Sequence, residues 1–565
     1  MAIKRKKKHG RVYLEEYKSV RINGKVKSIY LRSLGPENPV DQSPAPKPKI
    51  LDRLEHGPSL RAGAVTLLWE LACQLNFVGI IDEICCGEQR IEGPSPGKFF
   101  TAWAINRVLD PLSVTTLEKW IPTTDLPRLM GLSPAEFTKK SFLTALDFVC
   151  YDDKTTGQIR DFTPQIDDAL YRHWRESHPL TQGETETVAY DLTSLLFFGV
   201  GCSLAELGYN AKRVKRRQVN LALLVSKQDK YPISHFVYNG SRNSSSTIRN
   251  LIARLKDTSI DPGTIIWDRG NVSKDHVKMI ELADWKLICG VPKSSKEVNS
   301  IIDNTDVPLN PDTFIHKSRS GHIYAVRTKG QLFGRNRSVI VYASQDQRVS
   351  KINAQNEVLS EIGKELDALS EKGQKWSEAQ LHKEINSIVG EWENYVHTRV
   401  KRKGNGPRIE WKYKSRQISA SECSLGKYLL LSTDESLSPN EVIKTYFEKD
   451  FVEKVFRTLK TFEEIEPVRH RLEQRVRAYI FVCVLAFRLL ADLQYRLIKI
   501  LSHNGAQEQV DDLLRELERV ERVQVRLGHQ VKIWYLNVTR KNIETLEKMG
   551  FHDLLKEITE VDFKM

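Results

Sequence analysis

Three acidic residues occupy positions at which a carboxylate can do chemistry. Asp191 lies within an apolar strand-like run, Asp268 directly follows the short apolar segment Thr264–Trp267, and Glu453 falls in a helical pattern. A carboxylate in an apolar strand is costly unless it is paired, hydrogen-bonded or metal-bound, and ligands gather at the strand ends of α/β sheets. Taken singly, each aspartate is more often a turn former or a cap than a ligand, so both interpretations remain open.

The segment around Glu453 predicts one continuous helix with two distinct faces. Ser438–Glu441 has the pattern of a capping box, with a proline at the first helical position. At about 100° per residue, four residues share one polar stripe: Tyr446, Lys449, Glu453 and Lys460. A separate apolar stripe is formed by Phe447, Phe451, Val455 and Leu459. A solvated face with i,i+4 ion pairs explains the lysines and the glutamate but not the tyrosine, so a functional face is the alternative.

Two aspartates on neighbouring strands and a glutamate on a later helix can together form a site for hard cations. Carboxylate oxygens suit Mg²⁺ or Mn²⁺, which also accept phosphate oxygens. Two such ions roughly 4 Å apart would activate a water or a 3′-hydroxyl and stabilise the leaving oxygen of an in-line displacement. The three acids therefore predict metal-dependent phosphoryl transfer on DNA or RNA.

The charge balance favours a polyanionic partner. The chain of 565 residues has 86 Lys and Arg against 72 Asp and Glu, a formal net charge of +14. This excess indicates nucleic acid first, an anionic membrane surface second and a merely basic solvated protein third. Charged residues at 28% and hydrophobic residues at 40% exclude a disordered or fibrous chain.

Cysteine usage and the lengths of the apolar runs predict a cytoplasmic protein. The eight cysteines are scattered and form no Cys-x-x-Cys pair, which is typical of reduced thiols. The basic N-terminus lacks a following apolar core, so it is not expected to be a signal peptide. The most apolar run, Ala478–Phe487, ends at Arg488 and is far shorter than the roughly 20 residues that cross a bilayer. No membrane insertion is expected.

Hydrophobic periodicity predicts an α/β protein. Two strands meet across Asn23–Gly24, a typical hairpin turn, and a helical region follows from about residue 59 to residue 176. Three strands, a helix and the strand Thr264–Trp267 then indicate a mixed sheet rather than repeated βαβ units. A segment from about 300 to 424 interrupts the sheet, which resumes at Gly426, and the rest of the chain is predicted to be helical.

Three basic stretches are candidates for contacts with a nucleic-acid backbone. A loop after the strand of Asp191 contains Lys212, Arg213, Lys215, Arg216 and Arg217. A second predicted loop, within Arg399–Arg416, contains Lys401, Arg402, Lys403 and Trp411. Their charges can hold phosphates and Trp411 can stack on a displaced base; solvated loops and a packed tryptophan are the alternatives. The N-terminal run Lys4–Lys8 is predicted to be a disordered tail that adds non-specific DNA affinity.

At the three acids the sequence resembles the DDE insertion-sequence transposases. The matching blocks are Val188–Thr193 around Asp191, Trp267–Asn271 around Asp268, and the helix Tyr446-x2-Lys449-x3-Glu453-x6-Lys460. They are similar to the subgroup whose helix carries Tyr-x2-Arg-x3-Glu-x6-Lys, in the insertion-sequence-four-like superfamily. The acids lie 77 and 185 residues apart, and the long second gap leaves room for the insertion typical of that subgroup.

The resemblance covers nearly the whole chain and implies an RNase H-like core, a site and a cofactor. The family's metal-binding triad, with two Mg²⁺ (or Mn²⁺) ions, matches Asp191, Asp268 and Glu453. The residues that contact DNA near the cleaved end in relatives match Tyr446, Lys449 and Lys460. Lys449 stands where the family has arginine; it keeps the charge but lacks the bidentate fork.

Together, pattern and resemblance predict an α/β fold in which the RNase H-like mixed sheet is interrupted by a mixed β/α insertion. The expected segments are an N-terminal hairpin arm and linker (1–58), a helical DNA-binding or linker domain (59–180), the first part of the catalytic core (181–299), the insertion (300–424), the second part of the core (425–500) and a C-terminal helical tail (501–565).

The predicted function is that of a DNA transposase. It would bind the terminal inverted repeats of an insertion sequence, hydrolyse the phosphodiester at each end and transfer the 3′-hydroxyls to target DNA. By analogy with the family it would act as a homodimer on paired ends, in the cytoplasm of a bacterial or archaeal-type cell and at its nucleoid. Two alternatives remain: a nuclease or resolvase on the same fold that does not join strands, and a catalytically silent DNA-binding protein derived from a transposase.

Overall fold

The computed structural model describes residues 2–8, 11–22, 25–37, 54–87, 95–199, 201–210, 212–318, 321–372, 376–403, 406–501, 506–527, 530–552 and 554–555. By its internal contacts the chain divides into two compact units. The smaller one contains the residues up to 59 together with 522–536 and 563–565, and the larger one contains residues 60–521 and 537–562.

The N-terminal segment is a three-stranded antiparallel sheet of β1 (Ala2–Lys8), β2 (Arg11–Ile22) and β3 (Lys25–Pro36). The two predicted strands are confirmed as β2 and β3, while their turn and almost all of the predicted linker lie outside the described residues. The expected disordered tail is wrong, because Lys4–Lys8 belongs to β1. Side chains of β2 interact with the positive charges of β1. The Lys6 ammonium lies 3.6 Å from the Glu15 carboxylate, and the Lys4 ammonium lies 4.7 Å from the centre of the Tyr17 ring.

The region predicted to be helical is helical, with one additional hairpin. After β4 (Leu54–Arg61) come α1 (Gly63–Gln74), α2 (Phe77–Cys86), α3 (Pro96–Leu109), α4 (Val114–Trp120), α5 (Leu126–Met130), α6 (Lys139–Val149), β5 (Cys150–Asp153), β6 (Gln158–Asp161) and α7 (Thr163–Ser177). The hairpin β5–β6 was missed because its turn is polar throughout and its strands have only four residues each. Helix α3 is buried on nearly all sides and packs against α2 and α6.

A large mixed sheet follows. In chain order its first elements are β7 (Thr187–Leu196), β8 (Glu206–Leu207), β9 (Arg217–Ser226), β10 (Pro232–Asn239), α8 (Ile248–Asp257), β11 (Thr264–Trp267), α9 (Lys274–Glu281), β12 (Lys286–Val291) and α10 (Lys296–Asn304). Strands β7, β9 and β10 pair antiparallel, whereas β11 lies parallel to both β7 and β12. The predicted mixed α/β class is therefore confirmed, and Thr264–Trp267 is a strand with the expected bounds.

The predicted insertion is not uniform. It contains β13 (Phe314–Ser318), β14 (Gly321–Leu332), β15 (Arg335–Ser344), α11 (Gln345–Lys372), α12 (Glu378–Val389), β16 (Val396–Lys403), β17 (Gly406–Tyr413) and α13 (Ser415–Ser424), and β18 (Lys427–Ser432) follows it. Strand β18 pairs antiparallel with β12 and with β15, so that the sheet order is β10-β9-β7-β11-β12-β18-β15-β14-β13. The first three strands of the segment therefore extend the central sheet.

The second half of that segment has an apolar cluster of its own. Helices α11 and α12 and the hairpin β16–β17 contribute its buried side chains: Leu359, Ile362, Leu366, Leu369, Leu381, Ile385, Val389, Val396 and Ile409. The basic loop expected within Arg399–Arg416 is wrong, because most of it forms this hairpin. Alternation of apolar and charged residues along both strands explains the difference, since one face of the hairpin covers the helices.

The helix predicted around Glu453 is two helices, α14 (Pro439–Glu448) and α15 (Asp450–Thr461). The capping box at Ser438 and Glu441 is confirmed, with Ser438 N donating to Glu441 Oε2 at 2.7 Å. The single continuous helix is wrong, because the backbone tightens at Lys449. Lys449 N bonds to Tyr446 O and Val452 N bonds to Lys449 O, both three residues apart, which is a 3₁₀-type pattern.

The C-terminal part contains α16 (Glu473–Leu501), α17 (Ala506–Leu517), β19 (Glu521–Leu527), β20 (Gln530–Leu536) and α18 (Arg540–Lys548). An all-helical tail is wrong, since β19 and β20 form a sheet with β4. Helix α16 packs against α3 and β10 and is almost fully buried along Ala478–Leu493. In the described chain no single helix is long and apolar enough to cross a membrane; the pair α1 and α2, bent by 54°, meets the criterion together by length and composition only.

Candidate active site

The two aspartates stand level with each other on adjacent parallel strands. Strands β7 and β11 are in register with Ile266 opposite Ala189, so Asp191 and Asp268 each lie two residues further along. Asp191 lies in the middle of β7, whereas Asp268 directly follows β11 and caps a short 3₁₀ turn by accepting a hydrogen bond from Arg269 N at 3.0 Å. The cap and the ligand interpretations of Asp268 are therefore compatible.

Helix α15 brings the third acid to the same place. The helix contacts β7 and buries the apolar side chains Phe451, Val452, Val455, Phe456 and Leu459. Glu453 remains exposed at the rim. A small cavity is lined by residues of β7, β11 and α15: Ala189, Tyr190, Asp191, Ile266, Asp268, Lys449, Val452 and Glu453. The three acids predicted from the sequence thus line one cavity.

The carboxylates influence each other electrostatically. Burial raises the pKa of Asp191 to about 6; the nearby charges of Asp268 and Glu453 add to this, while the hydrogen bond from Leu192 N and the charge of Lys449 oppose it. Burial also acts to raise the pKa of Asp268, but the hydrogen bond and charge of Lys449 outweigh it and hold that pKa below its usual value. Burial is therefore the main reason why Asp191 holds its proton more tightly than usual, and Lys449 is the main reason why Asp268 does not.

Tyr446 and Lys449 converge on one oxygen of Asp268. The Lys449 ammonium lies 2.7 Å from Asp268 Oδ1, and the Tyr446 hydroxyl donates to the same oxygen at 3.3 Å. The ammonium also lies 5.0 Å from the centre of the Tyr446 ring, within the range of a cation–π contact. Three residues of the predicted polar stripe, these two and Glu453, therefore meet at the acids although the helix is interrupted.

Gly290 on β12 was missed as a residue of this site. A Cβ atom at Gly290 would lie 2.6 Å from the Tyr446 hydroxyl oxygen and 3.1 Å from Arg269 Cβ, so only glycine lets the tyrosine cross the strand. The signal in the sequence is a glycine in the middle of an apolar run, which marks a close approach of another group.

Lys460, the fourth residue of the stripe, lies elsewhere. Its ammonium donates to Thr193 Oγ1 at 2.8 Å and to the carbonyl of Ser194 at 2.7 Å, beyond Asp191 on β7. Burial lowers the pKa of Lys460. The lysine therefore ties the end of α15 to the strand that carries Asp191 and does not line the cavity of the acids.

The predicted basic loop, Lys212–Arg217, is exposed in its described part and lies beside the far end of β7. Lys212 forms an ion pair with Glu466, and the Arg216 guanidinium lies 4.0 Å from the centre of the Phe198 ring. Arg217 opens β9, and its carbonyl accepts a hydrogen bond from Phe197 N at 2.9 Å. Arg213 has a positive φ of 51°, and Lys215 is exposed.

The predicted DNA-contacting residues of the hairpin β16–β17 are not brought to the acids by any contact among the described residues. Lys401 pairs with Glu410 at 2.6 Å, and the side chains of Arg402 and Lys403 lie outside the described part. Trp411 packs against the apolar cluster of α11 and α12, and its indole N–H donates to Asp367 Oδ1 at 2.8 Å. This packing does not favour base stacking by Trp411, which stays a prediction.

Within the described residues, no three His, Cys, Asp or Glu side chains form a group already arranged to hold a metal ion. In this cavity the Lys449 ammonium lies 2.7 Å from Asp268 Oδ1. The donor set itself fits a hard cation, because all three candidate ligands are carboxylates.

The geometry is thus that of a mixed α/β enzyme core with acids at the ends of adjacent parallel strands and a third acid on a covering helix. Residues 183–489 match the family model described as the transposase DDE domain, which is more than half of the chain. The chain belongs to this transposase family.

Comparison with solved structures gives a distant similarity. A piggyBac transposase synaptic complex with hairpin DNA has 12% sequence identity, a TM-score of 0.39 and coverage of 82% of each chain. None of the curated proteins compared with the chain matches it.

Proposed function

We propose that this protein is a DNA transposase of the Tyr-Arg-Glu-Lys subgroup, in the insertion-sequence-four-like superfamily, with an RNase H-like core. One observation carries the proposal: Asp191 and Asp268 stand level on adjacent parallel strands, and Glu453 lines the same cavity from a helix packed on β7. The order of the strands supports the RNase H-like core, since three antiparallel strands are followed by two that run parallel to the first.

The subgroup is supported by the positions of Tyr446 and Lys449. Both touch Asp268 through the same oxygen, as expected if the tyrosine and the basic residue of the motif serve the catalytic site. The insertion between Asp268 and Glu453 contributes β14 and β15 to the sheet and then the helices α11 and α12. Its place in the sequence agrees with the subgroup's interrupted core.

The proposed cofactor is a pair of Mg²⁺ (or Mn²⁺) ions held by Asp191, Asp268 and Glu453. Such ions, when bound, favour deprotonation of the attacking hydroxyl and stabilise charge on the leaving oxygen. The chain's own contribution is the position of Asp191 within β7, where burial raises the pKa of its carboxyl. The Tyr446 hydroxyl orients the Asp268 carboxylate by donating to Oδ1.

The proposed substrate is DNA, bound as the terminal inverted repeats of an insertion sequence. The protein would hydrolyse the phosphodiester at each end and join the freed 3′-hydroxyls to target DNA, as a homodimer in the cytoplasm at the nucleoid. The exposed cations of Lys212–Arg217, beside the end of β7, would hold phosphates of the bound DNA. Lys460 would act through β7, because it contacts Thr193 and Ser194.

The replacement Glu453→Gln tests the proposal. It should abolish strand cleavage and joining in Mg²⁺ while leaving binding of the element ends measurable, because it removes a candidate metal ligand without changing the shape of the side chain. Asp450→Asn is the matched control, since Asp450 lies in the first turn of the same helix and does not line the cavity. Unchanged cleavage by Glu453→Gln would remove Glu453 from the triad.

The same assay separates the two alternatives. A nuclease or resolvase would cut the element ends in Mg²⁺ without forming joined products. A silent DNA-binding protein would bind the ends and neither cut nor join them, and Glu453→Gln would then have no effect on any measured step.

A further inference from the structure

A second, larger groove lies in the same unit as the acids and takes no part in the site described above. It has a volume of about 820 Å³, against about 30 Å³ for a water molecule, so it can hold a stretch of chain rather than a single ion. One wall comes from the N-terminal helices, including Lys139 at the start of α6. The opposite wall comes from the segment 464–472 between α15 and α16, and from Arg475 and Tyr479.

The rim of this groove has a net positive charge. Lys139, Arg469 and Arg471 are all exposed, and among the described residues none of their side chains makes an ion pair. Two further charged lining residues are in ion pairs: Arg475 pairs with Asp147 at 2.6 Å, and Glu466 pairs with Lys212. Glu464 is exposed on the same wall and subtracts one charge from the three cations, so the net charge of the rim stays positive. Three cations therefore remain available to a ligand.

The floor offers hydrogen-bond donors that have no acceptor. Trp103 and Arg107 are 2% and 4% exposed and both line the groove. Within the described structure, Trp103 Nε1 and Arg107 Nε have no hydrogen-bond partner. Buried donors without a partner are rare and costly, so an acceptor-bearing ligand at this floor would remove an existing penalty.

The charge of Arg107 is not neutralised by the nearest buried acid. Glu463 is fully buried, and neither of its carboxyl oxygens has a hydrogen-bond partner among the described residues. Burial raises the pKa of Glu463 well above its usual value, although the charge of Arg107 opposes the shift. Since neither Glu463 oxygen bonds to Arg107 in the described structure, the guanidinium remains a positive charge at the floor, which favours an anionic ligand.

The groove is joined by hydrogen bonds to the strand that carries Asp191. Leu196 N donates to Glu466 Oε2 and Val468 N donates to the Leu196 carbonyl, both at 3.0 Å, and Phe198 N donates to the Val468 carbonyl at 2.9 Å. Leu196 lies five residues beyond Asp191 on β7, which at about 3.3 Å per residue is about 17 Å. Along one strand of DNA that distance corresponds to about five nucleotides.

We infer that this groove binds the phosphodiester backbone of DNA about five nucleotides from the phosphate at the acids. The inference rests on the proposed function. Arg469, Arg471 and Lys139 contact phosphates at the rim, and the Trp103 and Arg107 donors serve an acceptor at the floor. Continuity with β7 and with the basic loop Lys212–Arg217 favours DNA over an acidic protein segment.

The test is the salt dependence of DNA binding by the full chain carrying both Arg469→Ala and Arg471→Ala. The probe is a fluorescent mixed-sequence duplex of about 30 bp, titrated between about 50 and 200 mM salt. Loss of two phosphate contacts should lower the slope of log K against log salt by about 1.8 and weaken binding roughly tenfold. The matched control carries Lys278→Ala and Lys286→Ala, which removes two exposed cations that do not line the groove.

The outcomes separate the groove from the function. If the unsubstituted protein does not bind the duplex, the proposed function fails; if it binds and the arginine variant keeps the slope of the lysine control, the groove inference alone fails. A photo-crosslinking side chain replacing Leu472, which is 47% exposed on the groove wall, should crosslink to the duplex. Crosslinking to protein instead would overturn the inference in favour of a protein segment.

Discussion

Lys449 and Asp268 form an ion pair at the centre of the candidate active site, with 2.7 Å between the ammonium nitrogen and Oδ1. The lysine side chain is mostly buried and the carboxylate is half-exposed, so the pair faces solvent on one side. The Lys449 ammonium thus contacts a carboxylate oxygen that is a candidate ligand for the proposed Mg²⁺ ions. If the proposed ions bind Asp268 through Oδ1, they would compete with the Lys449 ammonium for that atom.

Removing the ammonium should strengthen metal binding. Lys449→Met keeps the length of the side chain and removes its charge, and a partly exposed ion pair contributes up to about 1 kcal/mol, so Mn²⁺ should bind about two- to fivefold more tightly. Calorimetric titration of the DNA-free protein with Mn²⁺ measures this. Lys454→Met controls for net charge, because Lys454 is exposed on the same helix and does not touch Asp268. An equal gain in both variants would show that the contact with Asp268 is irrelevant.

Neutralising Asp191 should stabilise the metal-free fold at high pH. Burial raises the pKa of Asp191 to about 6 from a usual 3.8, so the folded state binds the proton more tightly than the unfolded state. The stability of the parent protein therefore falls as the pH rises from about 4 to about 6, by up to about 3 kcal/mol. Asp191→Asn should raise Tm at pH 8 in EDTA and leave it nearly unchanged at pH 4.

The pKa of Asp268 is shifted in the opposite direction to that of Asp191, so its effect on the pH dependence of stability has the opposite sign. Its folded-state pKa is lowered, because the hydrogen bond and charge of Lys449 outweigh burial. Its contribution to stability is present at neutral pH and is lost as the pH falls through that lowered value. Asp268→Asn should therefore lower Tm at pH 7, and a rise in Tm for both variants would contradict the assigned electrostatics.

A methyl group at Gly290 should displace Tyr446. The added Cβ would lie 2.6 Å from the tyrosine hydroxyl oxygen, and overpacking of this kind costs about 1–3 kcal/mol. We expect Gly290→Ala to lower Tm and to reduce DNA cleavage, because Tyr446 no longer orients Asp268. Gly270→Ala is the control: Gly270 is two residues from Asp268, and no atom lies within 4 Å of the place that its added methyl group would take. Equal changes in Tm and in DNA cleavage for the two variants would argue against the close contact between Gly290 and Tyr446.

Trp411 should act on the stability of the insertion rather than on DNA. Trp411→Ala removes an indole packed on the α11–α12 cluster and leaves Asp367 without its donor, at a cost of about 3 kcal/mol. Trp411→Phe keeps most of the packing and should lose about 1 kcal/mol. Unfolding in urea measures both. If Trp411→Ala keeps its stability but cuts intact DNA ends more poorly than pre-nicked ends, base stacking is the better explanation.

The sequence was sufficient to predict those helices and strands that are determined by residues close to one another in the chain. Strand β11 is apolar after Thr264 and is bounded by Gly263 and Asp268, and the capping box at Ser438 marks the start of α14. The interruption at Lys449 was not predictable from periodicity, because its partner Asp268 is 181 residues away. The sequence of β1 predicts a solvated basic tail, because only its pairing with β2 makes it a strand.

The candidate site was predictable in its residues more than in its arrangement. Asp191 and Asp268 were found by their positions in and after apolar strands, and the structure places them level. Lys460 shares a helical stripe with Glu453 but contacts Thr193 and Ser194 instead, since seven residues of the same helix separate the two by about 10 Å. The groove at Arg469 and Arg471 gave no signal, because its two walls are more than 300 residues apart in sequence.

The pairing of β12 with β18 has a consequence for synthesis of the chain. Strands β7 to β12 end at Val291, and both aspartates are already on them, whereas Glu453 follows roughly 160 residues later. At about 5–20 residues per second, the ribosome needs about 10–30 s to reach it. A nascent chain can therefore pair the strands of both aspartates well before it has its third acid, so a ribosome-bound intermediate would have an open sheet edge at β12 and no complete cavity for cleavage.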